Sequence, residues 1–335
     1  MMDYESVRKL DPLGLDERLR ELPLINERAD VGTLRNIANG IATDTVPSEF
    51  SAADALASLR DSDFILSSGI RHGENYIESV NGFERILMAL GRIANTVPRG
   101  TVTTYAHVNP SDERQRSFTG SDAEALFIDS VRTSSADAEH AMRVFAENDI
   151  QTGLAAIDKS LDTLIESIIA VRRGVTATYF TNELRPYFDA VEIGGTSYAG
   201  AGGAQLQLIA TDYVLWGVGS ADKVYMDYYA DNVRYLSPDQ RAWIQQCTDR
   251  QNGRSVVDLL IEGNDSAGQD AAIAIFQKLK KFRFPHRRIA QDNFKLRGDD
   301  SVGSGTYTPD ILDVLIDKTQ ENLRRLQDAK GEQHA

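Results

Sequence analysis

Five histidines, His72, His107, His140, His286 and His334, are the side chains of this sequence best suited to hold a metal. None of them stands at the HxxxH or HxxEH spacing that would put two imidazoles on one helical face, so a local zinc motif is excluded. A site assembled from distant histidines remains open. The single cysteine, Cys247, rules out an intramolecular disulfide and any zinc or iron–sulfur centre built from cysteines, and no CxxCH is present to attach haem covalently. Phosphate-cradling loops fare no better. The GAGGAQ run from Gly200 lacks the third glycine of GxGxxG and follows no convincing strand, and GxxxxGKS/T is absent. Gly303-Ser304-Gly305 is a glycine–serine turn without the flanking strand and helix that sharpen a nucleophilic serine. Noncovalent haem needs only one axial nitrogen and an apolar helical pocket, so a motif search neither finds it nor excludes it.

His286 has surroundings of that kind. The stretch AAIAIFQKLKKFRFPH (271–286) is apolar at Ile275, Phe276, Leu279 and Phe282, which predicts a buried helix running into Pro285. A proline has no N–H to donate and crowds the carbonyl one turn back, so the helix should kink or end just before His286 and present the imidazole at a bend. Arg283, three residues earlier, is a helical neighbour able to reach a carboxylate of whatever His286 binds. The competing account is a structural histidine packed beside an apolar helix.

The elements that must position these residues read as helices. Val80, Phe83, Ile86, Leu87, Leu90 and Ile93 share one face of a predicted helix over 77–93. The series Ile157, Leu161, Leu164, Ile168, Val171 gives the clearest amphipathic helix. Thr308 before Pro309 predicts an N-cap and first-turn proline for a last helix carrying Ile311, Leu312, Leu315, Ile316, Thr319 and Leu323, with a frayed polar tail after Ala329. Strand signals are weak; the β-branched run TVTTYAH (101–107) is the one place where local pairing is expected. The fold class is therefore all-α. Two glycine- and hydroxyl-rich stretches, GGTSYAGAGG (194–203) and RGDDSVGSGTYT (297–308), read as loops that turn corners or approach a ligand. The polar run NPSDERQR (109–116) marks a soft boundary between a small N-terminal helical domain, 1–113, and a larger helical domain, 114–330.

Thirty-six Lys and Arg against fifty Asp and Glu leave a net charge of -14 over 335 residues. Such a surface repels nucleic-acid phosphates and anionic lipid, whose binding requires clustered cations, so neither is an expected partner. No run of 18 apolar residues predicts a membrane span, and the N-terminus has no apolar signal-peptide core. With one cysteine, a reducing, cytoplasmic location is expected.

Taken in order, FTNELRPYFDA (180–190), GGTSYAGAGGAQLQL (194–208), KKFRFPHRRIAQDNF (280–294) and SVGSGTYTPDIL (301–312) resemble the haem-dependent superfamily of indoleamine and tryptophan 2,3-dioxygenases. DSDFILSSGIRHG (61–73), NPSDERQRSFTG (109–120), DSVRTS (129–134) and VLWG (214–217) draw the likeness closer to its monodechloroaminopyrrolnitrin synthase family. The resemblance spans about Asp61 to Leu323.

What it implies is a helical fold that binds haem b noncovalently, with His286 as the iron's axial ligand and Arg283 against a haem propionate. Arg185 falls on the arginine that meets a substrate carboxylate, the alternative being a structural ion pair. Phe180 and Thr181 would lie beside the substrate ring, and Gly194, Gly195, Thr196, Ser197 and Tyr198 would line the haem edge. Ser304, Gly305 and Thr306 match a loop closing over substrate, and Phe118 and Thr119 are distal-side candidates. Phe294 stands where a tyrosine is expected, and Thr306 interrupts the second glycine pair of the closing loop, departures that bear on the substrate rather than on the haem. The implied activity is oxidation of tryptophan or a related aromatic amino acid in secondary metabolism, by rearrangement, oxygenation or hydroxylation with O2 or peroxide. A reductase is a further candidate partner. Plain tryptophan ring cleavage, a haem-binding sensor or carrier without turnover, and a metal-free helical interaction module are the competing classes.

Overall fold

The structure, a computed structural model, describes residues 2–201, 207–297, 307 and 310–333. The fold is all-α, with one short hairpin among the described residues. The chain forms two compact units, each gathered from three stretches: Met1–Asp129, Gly174–Ala204 and Lys295–Thr306 in the first; Ser130–Arg173, Gln205–Phe294 and Tyr307–Ala335 in the second. Among the described residues no helix is long and apolar enough to cross a membrane.

The first unit is organised around the Ala52–Arg71 helix. Ser51 and Asp54 form a reciprocal capping box that satisfies the first free N–H groups and fixes where the helix starts. Every residue from Ala55 to Gly69 is buried, polar ones included. Burial of Arg60 and Asp61 is tolerable only because they pair: Arg60 Nε and Nη2 donate to the two carboxylate oxygens at 2.7 and 2.8 Å, and Arg116 Nε adds a third bond at 3.0 Å. The two guanidinium groups hold the Asp61 carboxyl below the usual range against the opposing effect of burial.

The second unit has an apolar core of the kind the periodicity predicts. Leu154, Ile157, Leu161, Leu164 and Ile168 of the Ile150–Gly174 helix pack with Ala272, Ile275, Phe276, Leu279 and Phe282 of the Ser266–Arg297 helix and with Leu315, Leu323 and Leu326 of the Asp310–Gln333 helix. Lys278 locks the first pair in register, donating to Asp158 and Asp162, both at 2.9 Å and one turn apart.

Several local expectations are corrected. Of the two outcomes expected at Pro285, a kink or an end, the end is the one overturned: the Ser266–Arg297 helix runs through it for a further twelve residues. Losing one backbone bond and crowding the Lys281 carbonyl costs ~3 kcal/mol, an amount that burial of Phe276, Leu279 and Phe282 can offset at roughly 1.5–3 kcal/mol per side chain. The helix over 77–93 is broken in two, Tyr76–Ser79 and Phe83–Ile93, because Gly82 takes a left-handed conformation at φ 90° and caps the second. Residues 101–107 form no strand: Thr103–His107 is a turn of π-helix, with all five residues buried. The polar tail is helical to Gln333. Thr308 and Pro309 lie outside the described residues. The GGTSYAGAGG segment opens with the turn and second strand of a hairpin, Val191–Ile193 against Thr196–Tyr198, with Ile193 opposite Thr196. Gly194 and Gly195, at φ 59° and 73°, supply the two left-handed residues that a two-residue hairpin turn requires.

Candidate functional site

His286 lies in the second unit on the Ser266–Arg297 helix, one turn after Phe282, against whose ring it stacks at 5.3 Å. The imidazole is half-buried, and among the described residues neither ring nitrogen takes part in a hydrogen bond. Burial, reinforced by the Arg283 charge, pushes its pKa down to about 4. The ring is therefore neutral at physiological pH and keeps a lone pair on one nitrogen, the form in which histidine coordinates a metal.

Arg283 is 4% exposed and committed inside the protein. It pairs with the Asp212 carboxylate, donates to the Thr319 hydroxyl and reaches the Leu315 carbonyl at 3.3 Å. Thus the guanidinium expected to face a haem propionate finds its carboxylate in Asp212. Trp216 Nε1 donates to the other Asp212 oxygen at 3.2 Å. Burial raises the Asp212 pKa, with Arg283 and Trp216 opposing the rise. Asp212 ends the Gln207–Asp212 helix and leads directly into the π-helical turn Tyr213–Gly217, which carries the stacked Tyr213–Tyr229 pair, 3.9 Å between centroids, and Trp216 against Tyr225 at 4.2 Å. A side chain at Gly217 would come within 2.4 Å of the Tyr225 hydroxyl, so glycine is what lets this turn approach the aromatic cluster. Phe294, two turns beyond His286, is half-buried on the same helix.

The first unit holds most of the described residues expected at the substrate. Phe180–Leu184 is another π-helical turn, followed at once by the 3-10 turn Arg185–Phe188. Such turns widen the helix and re-aim side chains, and they recur at functional sites. Thr181 and Arg185 are buried, whereas Phe180 is half-exposed and packs on Phe127 at 5.7 Å. Arg185 Nη1 donates to Asp189 Oδ1 at 2.7 Å. Phe118 and Thr119 meet the same segment from elsewhere in the chain. Phe118 is 1% exposed and stacks on Tyr187 at 4.4 Å, with Phe64, Tyr105 and Phe188 also around it. Thr119 shares its hydroxyl with Tyr179 at 2.7 Å. Buried Glu124 ties this corner together, accepting from the Phe118 and Thr119 amides and from the Tyr105, Ser117 and Thr119 hydroxyls. Gly194, Gly195, Thr196, Ser197 and Tyr198 form the turn and second strand of the hairpin, and Glu84 accepts from the Gly194 amide at 2.7 Å. Ser304, Gly305 and Thr306 lie outside the described residues, as do Gly202 and Gly203.

Sequence reasoning missed Asp212, Trp216, Asp189 and Glu124. Asp212 left a trace, a lone carboxylate in the apolar run LIATDYVLW, which demands a buried cation. Asp189 and Glu124 left none, being ordinary acidic residues whose partners only the fold supplies.

The observations fit a haem ligand at His286: a neutral imidazole, unengaged among the described residues, backed by an apolar ring and a rigid ion pair one turn away. The model of one protein family, monodechloroaminopyrrolnitrin synthase PrnB, matches residues 33–332. That match takes in the three π-helical turns described above, the hairpin and the His286 helix, and by it the chain belongs to the monodechloroaminopyrrolnitrin synthase PrnB family.

Proposed function

We propose that the protein is a haem-dependent oxidative enzyme of secondary metabolism acting on tryptophan or a related aromatic amino acid, in which His286 would hold the iron of a noncovalent haem b. The observation that carries this reading is the state of His286, neutral and with no hydrogen bond to either ring nitrogen among the described residues. Family membership supports the reaction class. When bound, haem supplies the iron at which dioxygen or peroxide is activated.

The chain's own residues do the rest. Lys278 and the Asp212–Arg283–Thr319 contacts anchor the two turns of helix that lead up to His286, which keeps the imidazole from rotating away. Arg283 thereby serves His286 through the scaffold, and its remaining N–H groups are the ones a propionate would meet. Arg185, a buried cation, binds the substrate carboxylate, while Phe180 and Thr181 flank the aromatic ring and fix its orientation. Phe118 and Thr119 support that turn through Tyr187 and Tyr179. By the family likeness, the hairpin residues Gly194–Tyr198 would border the cofactor, and Phe294, Ser304, Gly305 and Thr306 would belong to the substrate's surroundings. Cys247 is a buried, protonated thiol with its pKa pushed up to about 11, which suits a cytoplasmic protein that needs no disulfide.

The test is a visible spectrum of wild type beside His286→Ala, both expressed with added haem precursor. A Soret band in the first, lost or displaced in the second, is expected; identical spectra would reassign the ligand. Incubation with tryptophan and oxygen, followed by product analysis, then separates turnover from mere oxygen binding.

A further inference from the structure

The Arg185–Asp189 pair is lopsided. The arginine side chain is 6% exposed and the aspartate side chain 43%, although they are joined by a 2.7 Å hydrogen bond across one turn. A buried guanidinium needs a carboxylate, because leaving it unpaired carries a large desolvation penalty. A half-exposed aspartate has no matching need, since water can solvate it. Exchange of the carboxylate facing Arg185 therefore costs little on the Asp189 side.

The backbone beneath the pair does not share this freedom. Arg99, with its side chain fully buried, donates to the Asp189 carbonyl at 3.1 Å and to Ser67 Oγ at 3.3 Å, and pairs with Asp63 at 3.1 Å. The peptide at 189 is pinned while its side chain is left to rotate. If the Asp189 carboxylate turns aside, the Arg185 Nη1 group that now donates to it passes to a ligand carboxylate, and Asp189 offers an acceptor one helical turn away. That is the charge pattern of a zwitterionic α-amino acid, anion to the buried cation and ammonium to the half-exposed anion. Half-exposed Phe180 on the adjoining π-helical turn gives an aromatic side chain a ring to pack on.

We propose that Asp189 is a specificity-determining residue: it pairs with Arg185 in the empty protein and, when an aromatic α-amino acid enters, yields that guanidinium to the ligand carboxylate and binds the ligand ammonium. The proposal rests on the reading of Arg185 as the substrate anchor and adds to it the recognition of the amino group.

Isothermal titration of the purified, haem-supplemented protein with L-tryptophan, indole-3-propionate, which lacks the ammonium, and tryptamine, which lacks the carboxylate, tests both levels separately. Wild type should prefer tryptophan to indole-3-propionate. Asp189→Asn should bind indole-3-propionate more tightly than wild type does, and the preference for tryptophan should shrink at least tenfold; Asp189→Glu, which keeps the carboxylate, should retain it. A preference unchanged in Asp189→Asn overturns the proposal and leaves Arg185 in place. Equal affinity of wild type for tryptophan and tryptamine, or tryptophan binding undiminished in Arg185→Ala, overturns the anchor reading itself. Far-UV circular dichroism of each variant confirms that it is folded.

Discussion

Replacing Asp212 by asparagine removes the negative half of an ion pair in which both side chains are almost wholly out of water, at 3 and 4% exposure. Taking one partner from a buried pair costs about 3–5 kcal/mol, because the surviving charge is left uncompensated. The asparagine oxygen can still accept from Trp216, and Arg283 keeps Thr319 and the Leu315 carbonyl, so the lower end, about 3 kcal/mol, is expected. For a unit of this size each kcal/mol moves the melting temperature by roughly 2–4 °C, which predicts a fall of roughly 6–12 °C. Tryptophan fluorescence reads this cleanly: the chain has two tryptophans, Trp216 and Trp243, and both belong to the second unit. Asp212→Leu combined with Arg283→Met, which removes both charges, should recover most of the loss. A single mutant that melts within about 2 °C of wild type, or a double mutant no better than the single, would refute the argument that this pair is what steadies the turn bearing His286.

Three further outcomes follow from the geometry. Because the folded His286 stays neutral down to about pH 4 while an unfolded histidine takes up a proton near 6.5, stability should fall as pH drops through that window. The loss is at most about 3 kcal/mol, less for the partial exposure, and His286→Gln should flatten the profile; a mutant with the wild-type slope would remove the cause. Glu124→Gln puts an NH2 group where five donors converge on a buried carboxylate, stranding at least two of them, so a loss of about 2–4 kcal/mol is expected in chemical unfolding followed by circular dichroism. A change under about 0.5 kcal/mol would mean that water replaces the carboxylate. Alanine at Gly195 should cost about 1–2 kcal/mol for its left-handed backbone alone, having open space around it, and alanine at Gly194 more, since its methyl would also meet Met88 at 3.2 Å. The reverse order of stability would contradict the hairpin turn.

The sequence by itself determined the helical class, the apolar faces at Ile157–Ile168 and Ile275–Phe282, and His286 as the histidine worth attention. Each rests on spacing of three and four residues or on an apolar neighbourhood, properties carried within a few turns of chain. Only the tertiary structure decided that the helix continues through Pro285, because the burial that offsets the lost backbone bond comes from residues of other helices. The same holds for Asp212 and Arg283, which are 71 residues apart: nothing local makes one the partner of the other, and the need to neutralise a charge away from water is met only once the core has closed around both. Residues 103–107 and 180–184 likewise carry no local mark of a π-helical turn. Such a turn gives up regular backbone bonding for side-chain placement, and that trade is settled by packing rather than by propensity.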